Sequence, residues 1–107
     1  MKIKLNNKNI DIYEAIHFKD RLFGLMGRKN INYGLLFKRC NAIHTFFMRE
    51  PIDVIVLDQT NKIVFIKNKL LPNKLFRIKS KQKNTSILEL PQNTSTIFKL
   101  NEILFFK

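Results

Sequence analysis

Cysteine is almost missing from this chain, which has a single one, Cys40, in 107 residues. One cysteine excludes an intramolecular disulfide and is typical of a protein in a reducing cytoplasm. With only two histidines in addition, the chain also has too few ligands for a structural zinc site, which needs about four. We therefore predict no metal site and no cofactor.

Long hydrophobic runs and glycine-rich loops are missing as well. No segment approaches the roughly 20 apolar residues that cross a bilayer, and residues 1–9 contain no apolar core of a signal peptide. We expect a cytoplasmic protein without a transmembrane segment. The three glycines form neither a phosphate-cradling loop nor a nucleophile elbow.

Acidic residues are scarce, with 8 Asp and Glu against 20 Lys and Arg, which gives a net charge of +12. Such a charge attracts nucleic acid, anionic membranes or acidic proteins. Part of it reflects the joint enrichment of Lys and Asn that A/T-rich genomes produce. The predicted basic patch lies in a segment without acids and comprises Lys62, Lys67, Lys69, Lys74, Arg77, Lys79, Lys81 and Lys83.

Apolar residues, in contrast, are plentiful: the chain is 45% hydrophobic and contains ten Phe. A chain of this length buries roughly two-thirds of its unfolded surface in one core. We therefore predict a single domain over residues 1–107.

The densest apolar segment is residues 44–58. Val54 to Leu57 are consecutive branched apolar residues between Asp53 and Asp58, a pattern typical of a strand buried on both faces. Pro51 cannot donate to a strand ladder, so it should lie where the chain enters this central strand. His44 to Met48 should form a separate extended piece.

Flanking segments indicate further strands. Residues 2–5 and 10–13 alternate and predict an opening hairpin, and residues 34–37 predict a short buried strand. Ile63 to Ile66 follows a polar turn at residues 58–62, so it should form an antiparallel hairpin with Val54 to Leu57 in the middle of the sheet.

Two segments have helical features, and two more predict late strands. Apolar spacing predicts a short helix from about Glu14 to near Gly27, and residues 95–100 can form one helical turn. Residues 86–90 and 103–106 predict buried strands.

The expected fold is mainly β, a small single-domain β-sandwich or barrel-like sheet with one short N-terminal helix. The phenylalanines in strand patterns are assigned to the core: Phe46, Phe47, Phe65, Phe105 and Phe106.

Four residues near predicted strand ends are candidate ligand-binding residues. His44 is the best catalytic candidate, because an imidazole can transfer protons near neutral pH; its alternative role is a backbone hydrogen bond at a strand end. Arg21 can bind a carboxylate or phosphate, or it can brace the fold by pairing with Asp53 or Glu89. Asp53 and Glu89 need partners if buried, either Arg21 or backbone amides.

Cys40 and His44 are separated by three residues, which is compatible with a thiolate–imidazole nucleophile. This hypothesis is weak, because such catalysis also needs an orienting group and an oxyanion site.

The order of four motifs resembles one known family. They are Arg21-x-x-Gly24-Leu25-Met26-x-Arg28, residues 34–37, residues 44–53 and Leu88-Glu89-Leu90-Pro91. Together, in this order, they look like the motifs of the domain of unknown function 192 family. The resemblance covers about residues 21–106. It implies a small, mainly β prokaryotic domain, exported in some members and cytoplasmic in others, without an established activity.

The resemblance also predicts backbone conformations. This chain has Asn61, Asn93 and Asn101 where the family usually has glycine in turns. Asn is the residue other than glycine that best tolerates positive φ, so we expect these turns to be retained.

Three functions remain open. The leading hypothesis is a noncatalytic binding or accessory module for a small anionic ligand or a protein partner. The second is a hydrolase-type enzyme that uses His44 with an acidic neighbour. The third, not favoured, is nonspecific nucleic-acid binding through residues 62–83.

Overall fold

The structure, a computed structural model, describes residues 2–5, 8–16, 27, 31–78 and 84–106. These residues contain eight strands and one 3-10 helix, at Ser95–Ile97. The strands are β1 (Lys2–Leu5), β2 (Lys8–Glu14), β3 (Gly34–Phe37), β4 (Ala42–His44), β5 (Ile52–Leu57), β6 (Ile63–Leu70), β7 (Leu75–Arg77) and β8 (Ser86–Pro91). The predicted mainly β class is confirmed, but the sheets do not close into a barrel.

Six strands form the main sheet in the order β1-β2-β3-β8-β5-β6, and β4 and β7 form a second sheet of two strands. Strand β2 pairs with β3 in parallel, and the other pairs are antiparallel. The predicted opening hairpin is confirmed as β1 and β2.

Strand β5 is the buried strand that the apolar run predicted. All six of its residues are buried, because β5 has a strand on each side and side chains packed on both faces. Pro51 immediately precedes it, in a position that requires no donated ladder hydrogen bond.

The β5–β6 hairpin is also confirmed, but β6 lies at the edge of the sheet and not in its middle. After β6 the chain leaves for β7 in the small sheet, so among the described residues no strand is added beyond it. Asn61 in the hairpin turn has φ 65°, and Asn93 and Asn101 have φ 70° and 71°. The left-handed conformation predicted at these three residues is confirmed.

The main sheet buries a hydrophobic cluster on each face, because successive side chains of a strand point to opposite sides. We call the front face the one whose cluster contains Ile12, Leu36, Ile55, Leu57, Ile63, Leu88, Leu90, Phe98 and Leu104. The back face carries Ala15, Ile31, Phe37, Ile43, Met48, Ile52, Val54, Leu70 and Ile87. Since Ile43 belongs to β4, the small sheet packs on the back face.

The predicted N-terminal helix is not borne out. Glu14 belongs to β2, where it pairs with Leu36, and the Ala15 amide continues this pairing by donating to the Leu36 carbonyl at 2.9 Å. Gly27 lies in a turn, and residues 17–26 of the expected helix lie outside the described ranges. Strand pairing therefore overrides helical spacing at the start of this segment. The helical turn expected in residues 95–100 is present as the 3-10 helix.

The last predicted strand, at residues 103–106, is wrong. Ile103 forms only an isolated bridge with Lys62, and the Leu104 amide donates to the Asn61 carbonyl in the hairpin turn at 2.9 Å. The segment contacts only the start of β6 and forms no continuous strand. Within it, Leu104 is buried while Phe105 is 73% exposed.

The described residues form a compact body with a radius of gyration of 12.6 Å. In this part of the chain, no helix has the length and apolar character needed to cross a membrane.

Candidate functional site

The segment that follows β4 is held against the loop between β6 and β7 by Thr45. The Thr45 amide donates to the Lys74 carbonyl at 2.8 Å, and the Asn73 amide donates to the Thr45 carbonyl at 2.8 Å. The buried Thr45 hydroxyl donates to the Leu71 carbonyl at 2.7 Å and accepts from the Lys74 amide at 2.8 Å. These two segments therefore form one surface.

Four large apolar side chains are exposed on these segments. Phe46 and Phe47 belong to the turn after β4, and Leu71 and Leu75 belong to the loop after β6 and to β7, with Phe47 74% and Leu75 62% exposed. We call this group the apolar end surface. The expectation that Phe46 and Phe47 lie in the core is wrong, because a turn and not an extended strand follows His44.

Phe47 has a left-handed backbone, with φ 62°, which is unusual for a bulky residue. Its amide donates to Asn73 Oδ1 at 3.2 Å, and its carbonyl accepts from the Gly27 amide at 3.1 Å. These bonds hold the ring outside the fold.

The segments of the apolar end surface, and the strands next to them, also carry exposed cations. Arg49, Lys69, Lys74 and Arg77 are exposed, whereas the nearby Glu50 carboxylate accepts from the Ile31 amide at 3.1 Å. The surface thus combines exposed apolar groups with positive charge.

The predicted basic patch is only partly within the described residues. Lys67, Lys69, Lys74 and Arg77 are exposed, and Lys62 is half-buried. The remaining members, Lys79, Lys81 and Lys83, lie outside the described residues.

His44 ends β4 beside Leu75, its partner on β7. Its half-buried ring stacks on Phe46 with the ring centroids 5.1 Å apart, and its Nδ1 accepts from the Phe46 amide at 3.3 Å. His44 therefore lies at the margin of the apolar end surface.

Asp53 is fully buried and accepts three hydrogen bonds. Its Oδ1 accepts from the Lys69 amide at 2.9 Å, and its Oδ2 accepts from the Ser95 amide at 2.7 Å and from Asn68 Nδ2 at 3.1 Å. Asn68 and Lys69 oppose Asp53 together in a bulge between β5 and β6. The carboxylate therefore joins the bulge to the 3-10 helix, and backbone amides are among its partners as predicted.

Glu89 is only 3% exposed, in the middle of β8. Burial raises the pKa of its carboxyl from 4.5 to about 8, because removing the charged form from water is unfavourable. Among the described residues its Oε1 has no hydrogen-bond partner. This carboxyl is therefore protonated near neutral pH.

The two predicted carboxylates lie on opposite faces of the main sheet. Asp53 pairs with Leu90 of the front cluster, while Glu89 pairs with Val54 of the back cluster, and directly paired residues point to the same side. His44 belongs to the small sheet over the back face. Arg21 lies outside the described residues. Among the described residues, no group of three His, Cys, Asp or Glu side chains is arranged to hold a metal ion.

Sequence reasoning missed the apolar end surface. Its residues have the composition of a core strand. The two segments are about 25 positions apart in the sequence, so the sequence does not show that they form one surface. The available signal was Asn73 after Pro72, because Pro and Asn are both residues that favour turns.

Curated relatives match about half of the chain. UPF0127 proteins from Thermococcus sibiricus and Thermococcus kodakarensis are each 46% identical over 56 residues, which is 47% of this chain. The match spans 36% of the length of each relative.

Two crystal structures share the fold. A protein of unknown function from Novosphingobium aromaticivorans has a TM-score of 0.79 at 13% identity, with 98% of this chain and 82% of that chain covered. A protein from Sinorhizobium meliloti, described as a candidate transcription regulator, has a TM-score of 0.79 at 18% identity, with coverages of 97% and 89%. At these identities the likeness shows the fold alone.

A family model covers nearly the whole chain, since residues 1–102 match the model described as uncharacterized ACR. This match includes the motifs at residues 34–37, 44–53 and 88–91. The chain therefore belongs to the domain of unknown function 192 family.

Proposed function

We propose that this chain is a single-domain, noncatalytic binding module that docks an acidic segment of a protein partner on the apolar end surface. The observation that carries the proposal is Phe47, a phenylalanine held outside the fold in a left-handed conformation. Exposed Leu71 and Leu75 belong to the segment that hydrogen bonds of Thr45 join to the segment of Phe47. Exposed apolar groups that adjoin one another are typical of interaction sites.

The conformation of Phe47 supports a role beyond folding. A non-glycine residue in the left-handed region costs about 1–2 kcal/mol. Because Phe47 is 74% exposed, burial of its side chain offsets little of this cost. Backbone strain of this kind concentrates at functional sites. Asparagine would suit the same backbone better, so the aromatic ring itself is the feature that needs an explanation.

Charge complementarity selects the partner. Lys69, Lys74, Arg77 and Arg49 are exposed on the same segments as the four apolar side chains or on the strands next to them, so an acidic segment would meet opposite charge. Two of the apolar residues are leucines, which do not stack on nucleobases as aromatic rings do. A protein segment that carries both acidic and apolar side chains therefore fits better than nucleic acid.

The surroundings of His44 favour binding over hydrolysis. Asp53 lies on the front face and its carboxylate already accepts three hydrogen bonds, while His44 lies in the sheet that covers the back face. Glu50 is engaged with the Ile31 amide. We therefore assign His44 to the margin of the docking surface.

The direct test is a titration of the labelled chain followed by backbone amide NMR. The probes are a 12-residue synthetic peptide of alternating Glu and Leu and a single-stranded oligothymidylate of matching charge. We expect the peptide to shift amides of residues 44–49 and 71–77 at sub-millimolar concentration, and Phe47→Asn to weaken binding about tenfold, the loss of roughly 1.4 kcal/mol.

Phe105→Asn is the matched control, because Phe105 is exposed to the same degree, 73% against 74%, on a different part of the chain. It should leave peptide binding unchanged. Equal loss in both variants, or no shifts with the peptide, would contradict the proposal. Shifts with oligothymidylate alone, falling steeply with salt, would replace it with the nucleic-acid alternative that the description of the Sinorhizobium meliloti structure also suggests.

A further inference from the structure

A pocket of about 490 Å³ lies at the other end of the main sheet. It is placed where β3 and β5 end and where β6 and β8 begin, since Leu57 pairs with both Ile63 and Ser86. The apolar end surface adjoins the opposite ends of β5 and β6, next to Ile52 and Leu70. The two features are therefore separated by the length of the sheet.

The pocket has an apolar part and a polar rim. Leu36 and Phe106 supply the apolar part, and the loops around them contribute Arg39, Asn61 and Asn84. Its volume is within the range of roughly 300–1,000 Å³ found for small-molecule sites, which also combine apolar walls with a few polar groups.

The polar rim is available for a ligand. Within the part of the chain that the structure describes, the side chains of Arg39, Asn61 and Asn84 make no hydrogen bond or ion pair. Lys38 is also at the rim, but its Nζ lies 3.2 Å from Glu14 Oε1. Among the described lining residues, Arg39 is therefore the uncommitted cation.

The acidic residue at the rim, Asp58, is directed into its own turn. Asp58 Oδ1 accepts from the Thr60 hydroxyl at 2.7 Å, from the Thr60 amide at 2.8 Å and from the Lys62 amide at 3.0 Å. The carboxylate of Asp58 is thus stabilised by hydrogen bonds within the β5–β6 hairpin. The guanidinium of Arg39 therefore attracts an incoming anion more strongly than Asp58 repels it.

We propose that this pocket binds a small organic anion, with one carboxylate or phosphate group at Arg39 and one apolar ring against Phe106 and Leu36. The planar guanidinium donates two parallel hydrogen bonds to either group. The amides of Asn61 and Asn84 supply further donors and acceptors. This site is independent of the docking surface proposed above.

The test uses three probes that share a ring and differ in charge: phenyl phosphate, benzoate and benzyl alcohol. We expect saturable NMR shifts at the amides of Asn61 and Asn84 with at least one of the two anions, and the tighter of these identifies phosphate or carboxylate as the preferred group. Arg39→Asn should weaken that binding about tenfold. This substitution suits the backbone, because Arg39 has φ 51° and Asn tolerates the left-handed region.

Lys67→Gln is the matched control for charge, since it removes one exposed cation that lines neither the pocket nor the apolar end surface. It should change the affinity less than twofold. Three results would each overturn the proposal: no saturable shifts with either anion, equally tight binding of benzyl alcohol, or equal losses of affinity in the two variants. Retention of the native amide spectrum in Arg39→Asn establishes that a lost affinity is not lost folding.

Discussion

At the residue scale, Asp53 stabilises the fold through the donors around it. Asp53→Ala leaves the amides of Lys69 and Ser95 without their acceptor, and each unsatisfied buried donor costs about 1–3 kcal/mol. We expect the free energy of unfolding to fall by about 3 kcal/mol in urea denaturation. Asp53→Asn, which keeps one acceptor oxygen, should lose less. A loss below about 1 kcal/mol in Asp53→Ala would contradict this role.

Glu89 should make the stability of the protein depend on pH in an unusual direction. Its pKa is about 8 in the folded chain and 4.5 ordinarily, so the unfolded chain loses its proton first. The stability that the protonated carboxyl provides is complete below pH 4.5 and is lost progressively as the pH rises to about 8.

Glu89→Gln tests this dependence, because the amide is neutral at every pH. Relative to the wild-type protein, the variant should gain stability between pH 4.5 and pH 8, on the order of 5 kcal/mol, since each pKa difference of one corresponds to about 1.4 kcal/mol. Urea denaturation across this range measures the difference. A constant difference at all pH values would show that the carboxyl has the same pKa in the folded and the unfolded protein.

At the element scale, the parallel pairing of β2 and β3 depends on Gly34. A Cβ atom added there would lie 2.6 Å from Ile12 Cδ1, 2.8 Å from Leu90 Cδ2 and 2.9 Å from the Glu89 carbonyl oxygen. The last contact is with backbone, which cannot move aside as a side chain does. Gly34→Ala should therefore lower the free energy of unfolding by about 1–3 kcal/mol. A melting temperature equal to that of the wild-type protein would show that the strands separate without cost.

At the scale of the whole molecule, the two proposed surfaces should act independently. They adjoin opposite ends of β5, and six residues of strand span roughly 20 Å. Sites this far apart usually couple by less than about 0.5 kcal/mol. Phe47→Asn should leave anion binding at the pocket unchanged, and Arg39→Asn should leave peptide binding unchanged. A double-mutant cycle with both probes measures the coupling, and a value above about 1 kcal/mol would indicate one connected site.

The sequence by itself determined the features that depend on local chemistry. Four branched apolar residues between two aspartates can be buried only on both faces of a sheet, so β5 was predictable. The turn at residues 58–62 was predictable for the same reason, because local hydrogen bonds limit the backbone. The left-handed Asn61, Asn93 and Asn101 were predicted from the family resemblance, because Asn replaces glycine there and tolerates positive φ.

The tertiary structure alone decided what depends on which segments meet. Strand order and register determine the edge position of β6, the partners of Asp53 and the opposite faces of Asp53 and Glu89. The alternation of residues within one strand does not specify that order or register. Phe47 shows the same limit, because its neighbours in sequence predict a core strand, whereas its exposure results from the hydrogen bonds that join Thr45 to residues 71–74. Apolar pattern specifies that a side chain can be buried, and only long-range pairing specifies whether it is.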